Sequence, residues 1–354
     1  MTGPTRSSRA EPLGFTFAIS SYDHVEDLVA GRIPIQGADP LFIRLPIPEM
    51  FRRFVTVQDW DVSEMSFVNY GTMRANGDDR VIGMPVFPSR LYRQSAIFVR
   101  SDRISRPEDL RGARVGVPAW ANSAGVWARG LLADMHGVHP RDVIWYQGGI
   151  ERPGRVENVP ARFMPDDITL HRVADRGLEE MLWTGDIDAL ILPAPPPSLE
   201  TSVASGGLIR LLYDDLAAAE RAYREKTGCL PMMHVVAVSA RLHEQDPTIL
   251  VRVYDALETA RREYFERLRS EEISHVPLPW HETHLARVDA ELAMSDWAYG
   301  IEPNRRSLET YLRYVSAQGL IPTHGVRAED LFPEWISAMD ERSHGRRSEE
   351  RVDG

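Results

Sequence analysis

The chain of 354 residues holds a single cysteine, Cys229, so it cannot form an intrachain disulfide or rely on a disulfide framework. No stretch approaches the ~20 apolar residues needed to span a bilayer. Basic residues are outnumbered, 41 Lys and Arg against 52 Asp and Glu, for a net charge of −11. That balance argues against nucleic acid as a partner, because phosphate binding needs a basic face. A small anion held by a local arginine cluster remains compatible with it. The opening "MTGPTRSSRAEPLGFTFAISSYD" lacks the apolar core of a signal peptide, since the run Phe15–Ile19 is broken at once by Ser20, Ser21, Tyr22 and Asp23. A cytoplasmic location is the expectation. There is no P-loop, no glycine-rich dinucleotide fingerprint and no GxSxG elbow. In "WHETH", His281 and His284 stand three apart around Glu282, whereas a zinc-binding HExxH needs four. Neither a metal nor a cofactor is expected.

What is present is an ordinary globular composition, 43% hydrophobic and 26% charged, over a length sufficient for two cores. Strand-like runs ("FTFAIS", "WDVSEMSF", "RVIGMPVF", "QSAIFVR", "ARVGVP", "DVIWYQ", "ITLHRV", "IDALILP", "LIRLLY", "MMHVVAVSA") alternate with amphipathic helices. Such alternation predicts an α/β fold with mainly parallel sheets. The chain crosses near Val99 and returns near His234, which predicts two hinge strands. Domain 1 is then discontinuous, 13–99 and 236–335, with domain 2 inserted at 100–235 and a disordered tail at 336–354. The run "APPPS" (194–198) reads as a stiff connection. Ligands of such folds bind at the carboxyl ends of strands. In "RVGVPAWANSAGVWARG" a strand ends in a small polar turn that opens a helix, a place where free N–H groups and the helix dipole attract anions.

Six segments in order carry a family resemblance: "EMFRRF" (49–54), "FPSRLYRQSAI" (87–97), "RVGVPAW" with "AGVWARG" (114–130), "GGIERPGR" (148–155), "PMMHVV" (231–236) and "YGIEPNR" (299–305). Together they resemble the 4,5-dihydroxyphthalate decarboxylase family from about Phe15 to Phe332. The resemblance implies a type II periplasmic-binding-protein-like fold and a carboxy-lyase acting on a hydroxylated aromatic carboxylate, without nucleic acid or membrane partners. It leaves open whether the chain forms a homo-oligomer. Gln94 stands where members of that family often carry histidine, and "AWANSAG" also departs from their text, which leaves the exact substrate open.

Cofactor-free decarboxylation of a phenolic acid needs cations to orient carboxylates, a proton donor at the ring carbon and an acceptor at the hydroxyl. Arginine suits the first task because its planar fork matches a carboxylate. The resemblance makes Arg90 the first candidate clamp, against the reading of a surface ion pair. Arg52, on an amphipathic helix, and Arg155, in a glycine-bounded loop, are further candidates. His234, in the returning strand, is the candidate acid, because imidazole titrates near neutrality. The alternative is a buried histidine bonded to a carbonyl. Glu302 is the proton acceptor, a group that orients the histidine, or simply a carboxylate at a helix start. Ser66, Asn69, Asn122 and Ser123 fall at strand ends or helix starts and could bond ligand oxygens, although helix capping also explains Asn122 and Ser123. Tyr299, with Trp120 and Trp297, is a candidate pocket wall, whereas Trp127 reads as core. A binding protein with the same cleft and no chemistry is the rival reading.

Overall fold

A computed structural model describes residues 11–154, 158–270, 276–291 and 297–334. Arg155 and the tail expected at 336–354 lie outside the described residues. No helix among the described residues is long and apolar enough to cross a membrane.

The described chain divides into two compact units. The first takes residues 11–64, 80–86, 236–270 and 276–291; the second takes 65–79, 87–154, 158–235 and 297–334. Whereas the sequence reading runs the first domain to residue 99, this division gives residues 65–79 and 297–334 to the second unit. Packing accounts for that. Phe67 stacks on Tyr311 with ring centroids 4.2 Å apart, and the Tyr311 hydroxyl donates to the Phe67 carbonyl at 3.1 Å.

Eleven strands are described: β1 (Leu13–Ala18), β2 (Ala38–Ile43), β3 (Val62–Ser66), β4 (Val81–Met84), β5 (Ile97–Arg100), β6 (Arg114–Val117), β7 (Ile144–Gln147), β8 (Thr169–Arg172), β9 (Ala189–Ile191), β10 (Ile209–Leu211) and β11 (His234–Ser239). A five-stranded sheet has the order β2-β1-β3-β11-β4, and a six-stranded sheet the order β10-β5-β9-β6-β7-β8. The fold is α/β, and both sheets are mixed. β1 runs parallel to β2 and β3, while β11 and β4 are antiparallel, with Val236 opposite Met84. In the second sheet β6, β7, β8 and β9 run parallel and β5 opposes both of its neighbours. β3 and β11 begin and end in different units, so both carry the chain between them.

In the second sheet the register of β6 and β9 is fixed at one end by Asp188. Its carboxylate accepts from the Arg114 side chain at 2.8 and 3.1 Å, from the Arg114 N–H at 2.9 Å and from Arg103 at 2.6 Å. On the first sheet's helical layer, Ile47–Val57 turns Met50, Phe51, Phe54 and Val55 inward and leaves Arg52 exposed. Its neighbour Arg53 lies over the Trp60 ring at 4.5 Å and is ion-paired with Glu49 and Asp59.

Candidate functional site

Two helix starts meet in the second unit. β3 ends at Ser66, whose side chain caps the helix Phe67–Ala75 by accepting from the Asn69 N–H at 3.4 Å. Asn122 caps Ser123–His136 in the same way, accepting from the Gly125 N–H at 3.1 Å. The hydroxyls of Ser66 and Ser123 are 2.9 Å apart. Both helices therefore turn their positive ends toward one place. The first three N–H groups of Phe67–Ala75 are taken by the Met233 carbonyl and the Ser123 and Ser66 hydroxyls, whereas at Ser123–His136 the N–H groups of Ser123 and Ala124 have no acceptor among the described residues and are available to an anion.

Met233 links this junction to the rest of the site. Its carbonyl accepts from the Phe67 N–H at 3.0 Å and from the Ser123 hydroxyl at 2.8 Å, and its N–H donates to the Ser89 carbonyl at 2.8 Å. Its sulfur accepts from Arg93 Nε at 2.9 Å. The next residue, His234, opens β11 and is half-buried. One residue earlier, Met232 bridges Arg90 and accepts at its carbonyl from the Trp127 indole N–H at 2.9 Å, which makes Trp127 a core residue. The short segment 232–234 thus gathers Ser66, Ser123, Arg90, Arg93 and His234 within one unit.

Asn69 sits in the first turn of its helix, 5% exposed, and its amide oxygen is buried with no hydrogen-bond partner among the described residues. Burying an amide without a partner costs about 1–3 kcal/mol, and the atom concerned here is an acceptor, which suits a hydroxyl and not a carboxylate.

The two arginines of "FPSRLYRQSAI" have different surroundings. Arg90 is 3% exposed; Nη1 donates to Asn304 Oδ1 at 2.7 Å and Nη2 to the Ala298 carbonyl at 2.9 Å. Asn304 also donates to the Ala298 and Gly300 carbonyls at 2.8 and 2.7 Å. Arg90 is thereby an anchor for the turn that carries Tyr299, which is itself buried. Arg93 is 8% exposed, and besides the Met233 sulfur it donates only to the Pro193 carbonyl at 3.3 Å. Among the described residues no carboxylate pairs with it, and burial alone pushes its pKa down to about 10. The sequence reading passed over Arg93. Its signal was its position three residues after Arg90 in the same motif, but neighbouring charges cannot be read from spacing.

The remaining candidates stand elsewhere. Glu302 is exposed, begins a short 3-10 turn and is ion-paired with Arg305, which also pairs with Glu329 at 2.8 Å. That is the surroundings of a helix-start carboxylate. Arg52 belongs to the first unit. Trp120 is buried in the second unit, where its indole N–H donates to the Gln318 carbonyl at 2.8 Å. Gln94 is buried and donates to the Ala219 carbonyl at 3.3 Å. A feature not anticipated lies in the first unit: Glu64, fully buried, accepts from the Ser20 N–H at 2.9 Å and from the Tyr22 hydroxyl.

No family model matches the chain. Over 329 residues, 92% of this chain and 98% of the relative, it is 31% identical to a Comamonas testosteroni protein named 4,5-dihydroxyphthalate decarboxylase. A Pseudomonas putida protein of the same name is 37% identical over 185 residues, 52% of this chain and 72% of that one. Among solved structures, a periplasmic sulfonate-binding protein from Methylobacillus flagellatus KT superposes with a TM-score of 0.51, covering 95% of this chain and 96% of its own at 12% identity. A protein from Bordetella bronchiseptica RB50 does so at 0.50, covering 96% and 100% at 16% identity. These two likenesses establish the fold alone, which is that of the periplasmic binding proteins. With identity running almost end to end along a curated relative, the chain belongs to the 4,5-dihydroxyphthalate decarboxylase family and is a carboxy-lyase.

Proposed function

We propose that this carboxy-lyase removes one carboxylate of a dihydroxyphthalate-like aromatic acid by protonating the ring carbon that bears it, in the cytoplasm and without a metal or organic cofactor. The observation that carries the reading is the junction of two capped helix starts on the Met233 carbonyl, one residue before His234, with the buried amide oxygen of Asn69 as an acceptor for a ligand hydroxyl. The start of Ser123–His136 holds a carboxylate through its open N–H groups, and the dipoles of both helices favour the charge. The His234 imidazolium, one residue beyond the Met233 carbonyl that ties this junction together, then gives its proton to the ring carbon. The phenolic oxygen para to that carbon gives its proton to water, supplies the electron pair and becomes a carbonyl. Breaking the bond to the carboxylate releases CO2 and restores the aromatic ring, the pair passing back to the oxygen, which regains a proton from water. One proton enters the ring and one CO2 leaves.

The residue inventory supports a route without a Schiff base. The only lysine of the sequence, Lys226, is exposed and donates to the Asp134 carbonyl. A lysine that forms imines needs a desolvated site, and this one stands on the surface. Glu302, exposed and held by Arg305, is the less suited of the two candidate proton carriers.

The test is His234→Gln, which keeps the size and polarity of the side chain. Proton transfer belongs to the transition state, so kcat should fall by about 10²–10⁴-fold. Affinity for a non-reacting phthalate should stay near the wild-type value. A folded variant with near-normal kcat would remove His234 from the chemistry.

A further inference from the structure

We infer that Arg93 is the specificity-determining residue of this site: its guanidinium holds the carboxylate that is not lost, so the enzyme selects aromatic dicarboxylates over monocarboxylates. The inference rests on the proposed reaction and names the part of the substrate that the reaction leaves untouched.

Arg93 carries a charge with no counter-charge among the described residues. Every other arginine in the same stretch of the second unit has an evident structural task. Arg90 anchors the turn at Asn304, and Arg100 binds the Leu182 and Trp183 carbonyls as well as Asp102. Arg103 and Arg114 share Asp188. Arg93 has a thioether, which is a weak acceptor, and one long bond to a carbonyl. Its Nη2 donates to no described residue and is not sealed from solvent. A guanidinium 8% exposed with a free face is an unfilled half of a bidentate pair.

Position supplies the second half of the argument. Arg93 Nε and the two helix starts contact the same residue, Met233, one at its sulfur and the others at its carbonyl. The helix starts and Arg93 thereby converge on one residue, which suits a ligand with two anionic groups over a ligand with one. Loss of CO2 from one leaves the other in place, and a fixed cation under it keeps the ring oriented while the proton is delivered. An aromatic monocarboxylate would leave either the helix starts or Arg93 unsatisfied. A site built for a polar group discriminates strongly against ligands lacking it.

Calorimetric titration with phthalate and with benzoate tests this, because neither carries the hydroxyl that the chemistry needs and both report binding alone. Wild type should prefer phthalate by at least about tenfold, since a charge-assisted bond contributes about 1.5–3 kcal/mol. Arg93→Met should bind the two with similar affinity. In the absence of ligand the same variant should melt at or above the wild-type temperature, because it relieves a buried charge. A merely structural arginine would instead lower the melting temperature when removed. Arg93→Met that retains the wild-type preference, or that fails to fold, overturns the assignment. So does a wild-type protein that does not discriminate phthalate from benzoate. Release of CO2 from 4,5-dihydroxyphthalate is measured separately, so a failure of the proposed reaction is distinguishable from a failure of the Arg93 assignment.

Discussion

Arg90, Arg93 and Asp188 show how alike residues acquire different tasks from their neighbours. In the sequence, Arg90 and Arg93 are two cations in one motif, and nothing in their spacing says which is spent on the fold. The structure surrounds Arg90 with Asn304 and the Ala298 carbonyl and leaves Arg93 without an acid among the described residues. His234, Ser66 and Ser123 could be picked from the sequence because strand ends and helix starts are legible there. Partners more than a hundred residues away are not. Asp188 is the opposite case, a carboxylate with every partner satisfied. Burial raises its pKa, but bonds from the Arg114 side chain and N–H and from Arg103 outweigh that and hold it below the ordinary carboxylate value. Its contribution to stability is therefore complete above the unfolded pKa of about 4 and is lost as pH falls through the lower folded value. Asp188→Asn should cost about 2–3 kcal/mol at pH 7. The gap between variant and wild type in urea titrations should narrow between about pH 5 and pH 3. A gap that is constant with pH would mean that the carboxylate's charge does not matter.

At the scale of elements, the helix Arg305–Ala317 positions both site helices by packing tyrosines against glycines. The Tyr311 hydroxyl lies where a side chain on Gly71 would stand, and the Tyr314 ring occupies the same place at Gly130. Each close approach requires a missing Cβ, not a special backbone angle. Gly130→Ala should push Tyr314 away and destabilise the protein by about 1–3 kcal/mol, read as a lower urea midpoint. An unchanged midpoint would show that this helix does not lock Ser123–His136 in place. The hydrophobic alternation made most strands and the long helices legible. Several elements escaped, two of them for identifiable reasons. β2 contains Asp39 and Pro40, poor strand formers that an outer strand tolerates because proline donates no hydrogen bond. The helix Pro197–Ser205 hid within a proline run that reads as a stiff connection. Pro197 takes its first position, where the absent N–H has no cost. The antiparallel run of β5 was equally hidden, since alternation of strands and helices carries no information on strand direction.

For the whole molecule, the six sequence blocks were enough to point to the family that the curated relatives establish, although they lie far apart along the chain. The division into units was less legible, because helix Phe67–Ala75 follows β3 in sequence yet packs with residues from the far end of the chain. The account makes one claim about the intact protein: a single proton from the site replaces a single carboxylate, with no metal and no organic cofactor taking part. The direct measurement is turnover of 4,5-dihydroxyphthalate in D2O after exhaustive dialysis against EDTA, with CO2 and the aromatic product quantified together. The account predicts undiminished turnover after dialysis, one CO2 per substrate, and one deuterium at the ring carbon that lost its carboxylate. Turnover that vanishes on dialysis and returns with a divalent cation, or a product without deuterium at that carbon, would contradict it.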